Sequence, residues 1–128
     1  MIIDIHSHCY KNPLPFVTPF CNPEELIKYY DKVGIDKAVL LPVVNAEIYF
    51  PQSNDEVLEI CAAYPDRFIP YCNIDPRAMT NAPNAPLHKV LEYYKNKGCK
   101  ARERGGYAIH CLYEQTPRGL CYVQIGRG

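Results

Sequence analysis

The chain has 128 residues, 48% of them hydrophobic, and its 14 basic and 14 acidic side chains balance to zero net charge. This length and composition fit one globular domain. The sequence has no basic stripe that would indicate a nucleic-acid partner and no apolar run long enough to span a membrane. Seven cysteines without a Cys-x-x-Cys spacing argue against a disulfide framework or a cysteine-rich zinc module, so we expect a cytoplasmic protein with reduced cysteines.

The chain opens with an apolar segment that ends in two closely spaced histidines. Residues 1–6 predict a short buried strand, and His8 follows His6 by two positions. Alternate side chains of a strand share a face, so His6 and His8 project together, and Asp4 lies one layer deeper on that face. Two imidazoles at a strand terminus can supply half of a divalent metal site. Asp4 is either an acceptor that orients an imidazole N–H or a buried polar residue satisfied by its neighbours.

The next segment has the signals of a helix followed by a buried strand. Asn22-Pro23-Glu24-Glu25 predicts a helix start, with Asn22 as the cap, proline in the first turn and Glu25 completing a capping box. Gly34 predicts the end of this helix. Residues 37–44 form a continuous apolar run, which is typical of a strand in a parallel sheet. The inner face of the helix is predicted to be Leu26, Ile27, Tyr30 and Val33.

The alternation of predicted strands and helices continues to about residue 100. Ser53 or Asn54 is expected to cap a second helix that runs through Ala63, and residues 68–73 predict a third strand. A third helix should end at Gly98, and a fourth strand should start at Cys99-Lys100. The order of elements predicts an α/β fold with a parallel sheet. The predicted inner faces are Val57, Leu58, Cys61 and Ala62 on the second helix, and Leu87, Val90, Leu91 and Tyr94 on the third.

The composition changes after residue 100. All eight lysines lie at or before that position, whereas four of the six arginines and five of the seven glycines lie after it. We therefore divide the chain into residues 1–100, which carry the β/α pattern, and an atypical tail of residues 101–128. The tail is either a short hairpin or a segment foreign to the fold.

The first of these regions resembles a known group of enzymes. Ile3-Asp4-Ile5-His6-Ser7-His8 is similar to the Asp-x-His-x-His signature on the first strand of the amidohydrolase superfamily. More narrowly, residues 1–100 resemble the amidohydrolase-related, TIM-barrel metal-dependent hydrolases. The supporting segments are Gly34-Ile35-Asp36-Lys37-Ala38-Val39, Tyr64-Pro65-Asp66-Arg67-Phe68, Asn73-Ile74-Asp75-Pro76-Arg77 and Lys97-Gly98-Cys99-Lys100.

This resemblance implies a (β/α)₈ barrel that holds a divalent metal, commonly zinc, with manganese as an alternative. His6 and His8 match the first two metal ligands of the family pattern. The implied reaction is hydrolysis of a small molecule by metal-activated water, or decarboxylation of the aminocarboxymuconate-semialdehyde decarboxylase type. The family's further ligands and its acid/base residue come from later strands, so no catalytic residue is assigned. Because a complete barrel takes about 250 residues, we expect a truncated, N-terminal half of one.

Three interpretations of the chain stay open. It is a hydrolase half-barrel, a non-catalytic fragment that retains only the fold, or a small metal-binding module completed by His110 and Cys111. An unpaired strand edge in a half-barrel would favour self-association. Cys9 and His88 are expected to have structural or solvated roles, Asp75-Pro76-Arg77 is expected to form a turn, and Lys100 is given no role in the site.

Overall fold

A computed structural model shows an α/β fold built on a parallel sheet. It describes residues 1–12, 20–44, 52–75, 77, 79–100, 111–112 and 122–123. The main sheet has the order β1-β2-β3, and both strand pairs are parallel. The predicted α/β class is therefore confirmed, and the arrangement is consistent with part of a barrel. In chain order the elements are β1 (Ile3–Ser7), α1 (Pro23–Val33), β2 (Lys37–Leu40), α2 (Asn54–Ala63), β3 (Phe68–Pro70), α3 (Leu87–Asn96), β4 (Cys111–Leu112) and β5 (Tyr122–Val123).

The ends of α1 agree with the sequence prediction. The Asn22 side chain accepts a hydrogen bond from the backbone N–H of Glu25, and the Glu25 carboxylate accepts one from the backbone N–H of Asn22. Both hydrogen bonds satisfy amide groups that the first helical turn leaves without partners. Gly34 follows the helix with φ of 80°, a left-handed conformation that glycine adopts without steric cost. The predicted capping box and glycine stop are confirmed.

The strands are shorter than the apolar runs that predicted them. The run 37–44 forms a strand only over Lys37–Leu40, and 68–73 only over Phe68–Pro70. The backbone N–H of Leu41 still donates to Ser7, but Pro42 has no N–H with which to continue the ladder. Pro42 is nevertheless almost completely buried. The apolar run therefore indicates which residues are buried, and the buried segment is longer than the hydrogen-bonded strand.

The predicted burial of the first strand is wrong for its isoleucines. Ile3 and Ile5 are 36% and 52% exposed. Among the described residues, only β2 pairs with β1, so β1 lies at an edge of the sheet. Apolar side chains on this strand therefore keep contact with solvent.

The buried core lies between the sheet and the first two helices. On α2 the buried residues are Asn54, Val57, Ile60 and Cys61. The predicted inner face is therefore wrong for Ala62, which is exposed, and it lacks the buried Ile60, whereas Leu58 is half-buried. The core cluster comprises Cys9, Leu26, Tyr30, Ala38, Leu40, Val57, Ile60, Cys61 and Phe68.

The third helix is held more loosely than the first two. None of its residues is fully buried, although the predicted inner face is half-buried. After it, the Lys100 backbone N–H donates to the Pro70 carbonyl over 2.8 Å, which places residue 100 beside the end of β3. No strand is formed at Cys99-Lys100 within the described residues. In the tail, β4 and β5 pair antiparallel, and none of the described helices could cross a membrane.

Candidate metal centre

The two histidines converge at the C-terminal end of β1. His6 Nε2 and His8 Nε2 lie 3.1 Å apart, with ring centroids at 5.0 Å and rings nearly perpendicular. Two nitrogens that each lie 2.0–2.1 Å from a tetrahedral zinc ion would be separated by about 3.3 Å. The 3.1 Å spacing of the two Nε2 atoms is a hydrogen-bonding distance in the metal-free protein, and it is also close to the spacing of two metal ligands. The structure brings together the two residues that the sequence predicts.

The orientation of His8 is fixed from its other ring nitrogen. His8 Nδ1 lies 2.7 Å from the carbonyl oxygen of Leu41, just past the end of β2. A carbonyl can only accept, so Nδ1 carries the proton and the lone pair of the neutral ring is on Nε2. This is the arrangement that histidine ligands of metals generally show. Sequence reasoning missed Leu41, because a backbone carbonyl leaves no signal in the residue type.

Burial keeps His8 in the form that a metal needs. The half-buried ring loses hydration, and this desolvation is the main reason that the pKa of His8 is lowered from its usual value. The neighbouring His6 lowers the pKa further, whereas the hydrogen bond to Leu41 and the charge of Asp4 oppose the shift. His6 is exposed to solvent. The site therefore pairs a half-buried, oriented imidazole with an accessible one.

A local irregularity in β1 sets the direction of these side chains. Asp4 is opposite Ala38 and Ser7 is opposite Leu40, so three steps on β1 match two steps on β2. The Asp4 carboxylate accepts a hydrogen bond of 3.0 Å from the His6 backbone N–H. This short-range bond lies within the irregular stretch and gives the His6 N–H a partner outside the ladder. Such bulges redirect side chains at functional edges of sheets.

Tyr30 of α1 contacts both ends of the irregular stretch of β1 through its hydroxyl group. Its hydroxyl oxygen lies 2.7 Å from Asp4 Oδ2 and 2.7 Å from Ser7 Oγ. Burial is the main cause that raises the pKa of Tyr30 to about 12, so the phenol keeps its proton. Neither described hydrogen bond of the Asp4 carboxylate goes to an imidazole, and the orienting role of Asp4 stays a prediction. The sequence indicated Tyr30 as a core residue, and only its position under β1 reveals the polar contact.

Cys9 adjoins the histidines but has a structural environment. It is 1% exposed, and burial raises the pKa of its thiol to about 12, so it remains a neutral thiol. Its carbonyl accepts a 2.6 Å hydrogen bond from Gln52 Nε2. Gln52 is itself buried, and its Oε1 has no hydrogen-bond partner among the described residues. No pattern in the sequence indicates a role for Gln52. Its Nε2 also donates to Glu56 of α2, so Gln52 links this helix to the segment that follows β1.

The other sequence candidates lie away from the pair or have structural contacts. Asp75 Oδ1 accepts hydrogen bonds from the Arg77 backbone N–H and Nε, an arrangement typical of a turn. His88 is exposed on α3, and Lys100 is exposed beside β3. Within the described ranges, no group of three or more histidine, cysteine, aspartate or glutamate side chains could hold a metal ion. His110 and the Cys111 side chain lie outside what is described.

Comparison with known proteins gives a distant structural likeness. No protein-family model matches the chain, and no curated protein matches it. Among solved structures, the chain is similar to a probable 2-pyrone-4,6-dicarboxylic acid hydrolase from Acinetobacter baumannii, crystallised with citric acid bound. The sequence identity is 17% and the TM-score 0.49, over 91% of this chain and 42% of that one. The chain therefore spans less than half of that protein.

Proposed function

We propose that the chain is the N-terminal part of a metal-dependent hydrolase of the amidohydrolase-related type, with His6 and His8 as two of its metal ligands. The observation that carries the proposal is the 3.1 Å separation of the two Nε2 atoms at the C-terminal end of a parallel strand. Active sites of β/α barrels lie at that end of the strands. The Asp-x-His-x-His resemblance supports the same assignment.

Each residue at the site has a part that its contacts define. The Leu41 carbonyl holds the proton of His8 on Nδ1 and so leaves the Nε2 lone pair available to a metal. His6, which is exposed, supplies the second nitrogen. Tyr30, through Asp4 and Ser7, fixes the bulge from which both imidazoles project. A divalent metal such as zinc, when bound, supplies Lewis acidity that makes water nucleophilic near neutral pH.

Calorimetric titration of the 128-residue chain with zinc tests the metal part of this proposal. We expect saturable binding that is lost in His6→Ala and in His8→Ala, because two ligands cannot be reduced to one without a large loss of affinity. His88→Ala is the matched control, since His88 is exposed on α3. No binding, or binding that all three variants share with the wild type, would contradict the assignment.

A second candidate is a metal-binding fragment without catalysis. It is favoured because the described residues provide no third ligand next to the histidine pair, whereas catalytic zinc normally has three protein ligands and a water. The two candidates differ in turnover by the zinc-loaded chain. Release of acid from ester or amide substrates supports hydrolysis, and release of carbon dioxide from a carboxylated substrate supports the decarboxylase alternative. Zinc binding without either product supports the fragment.

We also propose that the chain self-associates through the outer edge of β1. Ile3 and Ile5 of this strand are 36% and 52% exposed, and among the described residues only β2 pairs with it. An exposed apolar strand edge is a template for pairing with another chain. Sedimentation velocity should show a dimer or larger species that Ile5→Lys shifts toward monomer, whereas Val33→Lys on α1 does not. A wild-type monomer at all concentrations would contradict this.

A further inference from the structure

The histidine pair supplies only part of a zinc coordination sphere. Structural zinc is almost always held by four ligands in a tetrahedron. His6 and His8 of one chain provide two nitrogens, with their Nε2 atoms 3.1 Å apart. In the part of the chain that the structure describes, no third histidine, cysteine, aspartate or glutamate joins them as a ligand. Two coordination positions are therefore open to groups that approach from outside this surface.

The pair lies at a margin of the fold that another molecule can approach. Among the described residues β1 pairs only with β2, which leaves its other edge without a neighbouring strand. Ile3 and Ile5 of β1 are 36% and 52% exposed, and His6 is exposed as well. His8 is half-buried, and the Phe20 ring makes a T-shaped contact with it at 6.4 Å between centroids. Access to the pair is therefore from the side of His6.

A second copy of the chain carries the ligands that fill the open positions. Copies of one chain mostly pair about a two-fold axis, so that one surface meets the same surface of the partner. An axis close to the end of β1 brings the His6–His8 pair of one copy to the identical pair of the other. Together the two copies present four imidazole nitrogens, which is a complete set for tetrahedral zinc.

Charge balance favours the same arrangement. Four neutral imidazoles leave both positive charges of a zinc ion uncompensated. In each chain the half-buried Asp4 carboxylate adjoins the pair, and it accepts hydrogen bonds of 3.0 Å from the His6 backbone N–H and 2.7 Å from the Tyr30 hydroxyl. Two copies therefore bring two carboxylates near one ion. Opposite charges attract more strongly where burial excludes part of the water.

We propose that the partner of the metal site is a second copy of this chain, with one zinc ion bridging two chains through His6 and His8 of each. This inference rests on the proposed function, in which the same two histidines bind zinc. It makes self-association at β1 dependent on metal. A site closed by four protein ligands is typical of structural zinc, whereas catalytic zinc keeps a position for water. The bridged dimer is therefore a closed form of the site.

Sedimentation velocity of the metal-stripped chain, with zinc added from zero to two equivalents, tests the bridge. We expect the dimer fraction to reach its maximum at one zinc ion per two chains, since that ratio completes four ligands. Zinc that binds the dimer in preference to the monomer lowers the apparent dissociation constant of the dimer, and we expect a fall of at least about tenfold. Native mass spectrometry should show two chains with one zinc ion, and a chelator should reverse the change.

Three variants identify the ligands. His6→Ala and His8→Ala should each lose the zinc-dependent step, because two copies then offer two nitrogens in place of four. Both should keep any association that occurs in chelator, which depends on the edge of β1. His88→Ala is the matched control and should respond to zinc as the wild type does, since His88 is exposed on α3. Circular dichroism shows whether each variant is folded, and the wild-type stoichiometry decides the outcome if one is not.

The results separate this inference from the proposed function. One zinc ion per chain, on a monomer or on a dimer whose amount does not change with zinc, would overturn the bridge and leave the histidine pair as a metal site. A zinc-dependent dimer that forms equally well in both alanine variants would also overturn it, because other groups would then hold the ion. A chain that binds no zinc would contradict the proposed function itself, and the bridge with it.

Discussion

Replacing Tyr30 by phenylalanine should destabilise the bulge that carries both histidines. The substitution removes one hydroxyl that lies 2.7 Å from Asp4 Oδ2 and 2.7 Å from Ser7 Oγ. A hydrogen bond to a charged group contributes about 1.5–3 kcal/mol, and a buried polar group left without its partner costs about 1–3 kcal/mol. Ser7 is buried, whereas Asp4 is half-buried and can regain water. We therefore expect Tyr30→Phe to lower the free energy of unfolding by about 2–3 kcal/mol.

Urea unfolding followed by circular dichroism measures this change. Tyr29→Phe is the matched control, because it removes the same atom from the adjacent residue of α1, whose side chain is 58% exposed. We expect the control to stay within about 0.5 kcal/mol of the wild type. If Tyr30→Phe is as stable as Tyr29→Phe, the hydroxyl does not support β1 and the explanation of the bulge fails. If Tyr30→Phe binds zinc more weakly than the wild type and Tyr29→Phe does not, the bulge and the histidine pair are linked.

Three further substitutions test other contacts by urea unfolding. Gly34→Ala should lower the free energy of unfolding by about 1–2 kcal/mol, because φ is 80° and alanine is strained in this left-handed conformation. An added Cβ would meet no atom within 4 Å, so the loss comes from the backbone alone. An unchanged midpoint of unfolding would contradict this. Asn54→Ala should lower the free energy of unfolding by about 2 kcal/mol, since the Asn54 side chain donates to the backbone C=O of Asn73 and accepts from its N–H. A loss under about 0.5 kcal/mol would contradict a stabilising role for these two hydrogen bonds. Lys97 lowers the pKa of Asp55 from its usual 3.8. The wild type should therefore exceed Asp55→Asn in stability near neutrality. This difference should begin to shrink below about pH 4, where the unfolded carboxylate takes up a proton, and should be lost once the pH is below the lowered pKa of the folded carboxyl. A difference that stays constant with pH would argue against the pair.

The sequence predicted the order of elements and the ends of α1 because those depend on local chemistry. Asn22, Glu25 and Gly34 act on the backbone within a few residues of themselves. Strand lengths were overestimated because hydrophobicity measures burial and not pairing. Pro42 shows the difference, since it is buried but cannot donate to a ladder.

The site was predictable only in part for a related reason. The pairing of His6 and His8 follows from strand alternation, which is local. Their support depends on register, since Leu41 reaches His8 only across the β1–β2 pair, and Tyr30 reaches Asp4 only after α1 packs on the sheet. The residue types of Leu41 and Tyr30 indicate core positions and carry no sign of those contacts.

The histidine pair as a metal site is tested most directly by ring nitrogen NMR of the ¹⁵N-labelled chain during zinc addition. Coordination should shift Nε2 of both His6 and His8, while Nδ1 of His8 stays protonated on the Leu41 carbonyl. His88 should keep the spectrum of a free imidazole. Unchanged Nε2 signals of His6 and His8 at saturating zinc, or coordination of His8 through Nδ1, would contradict the account.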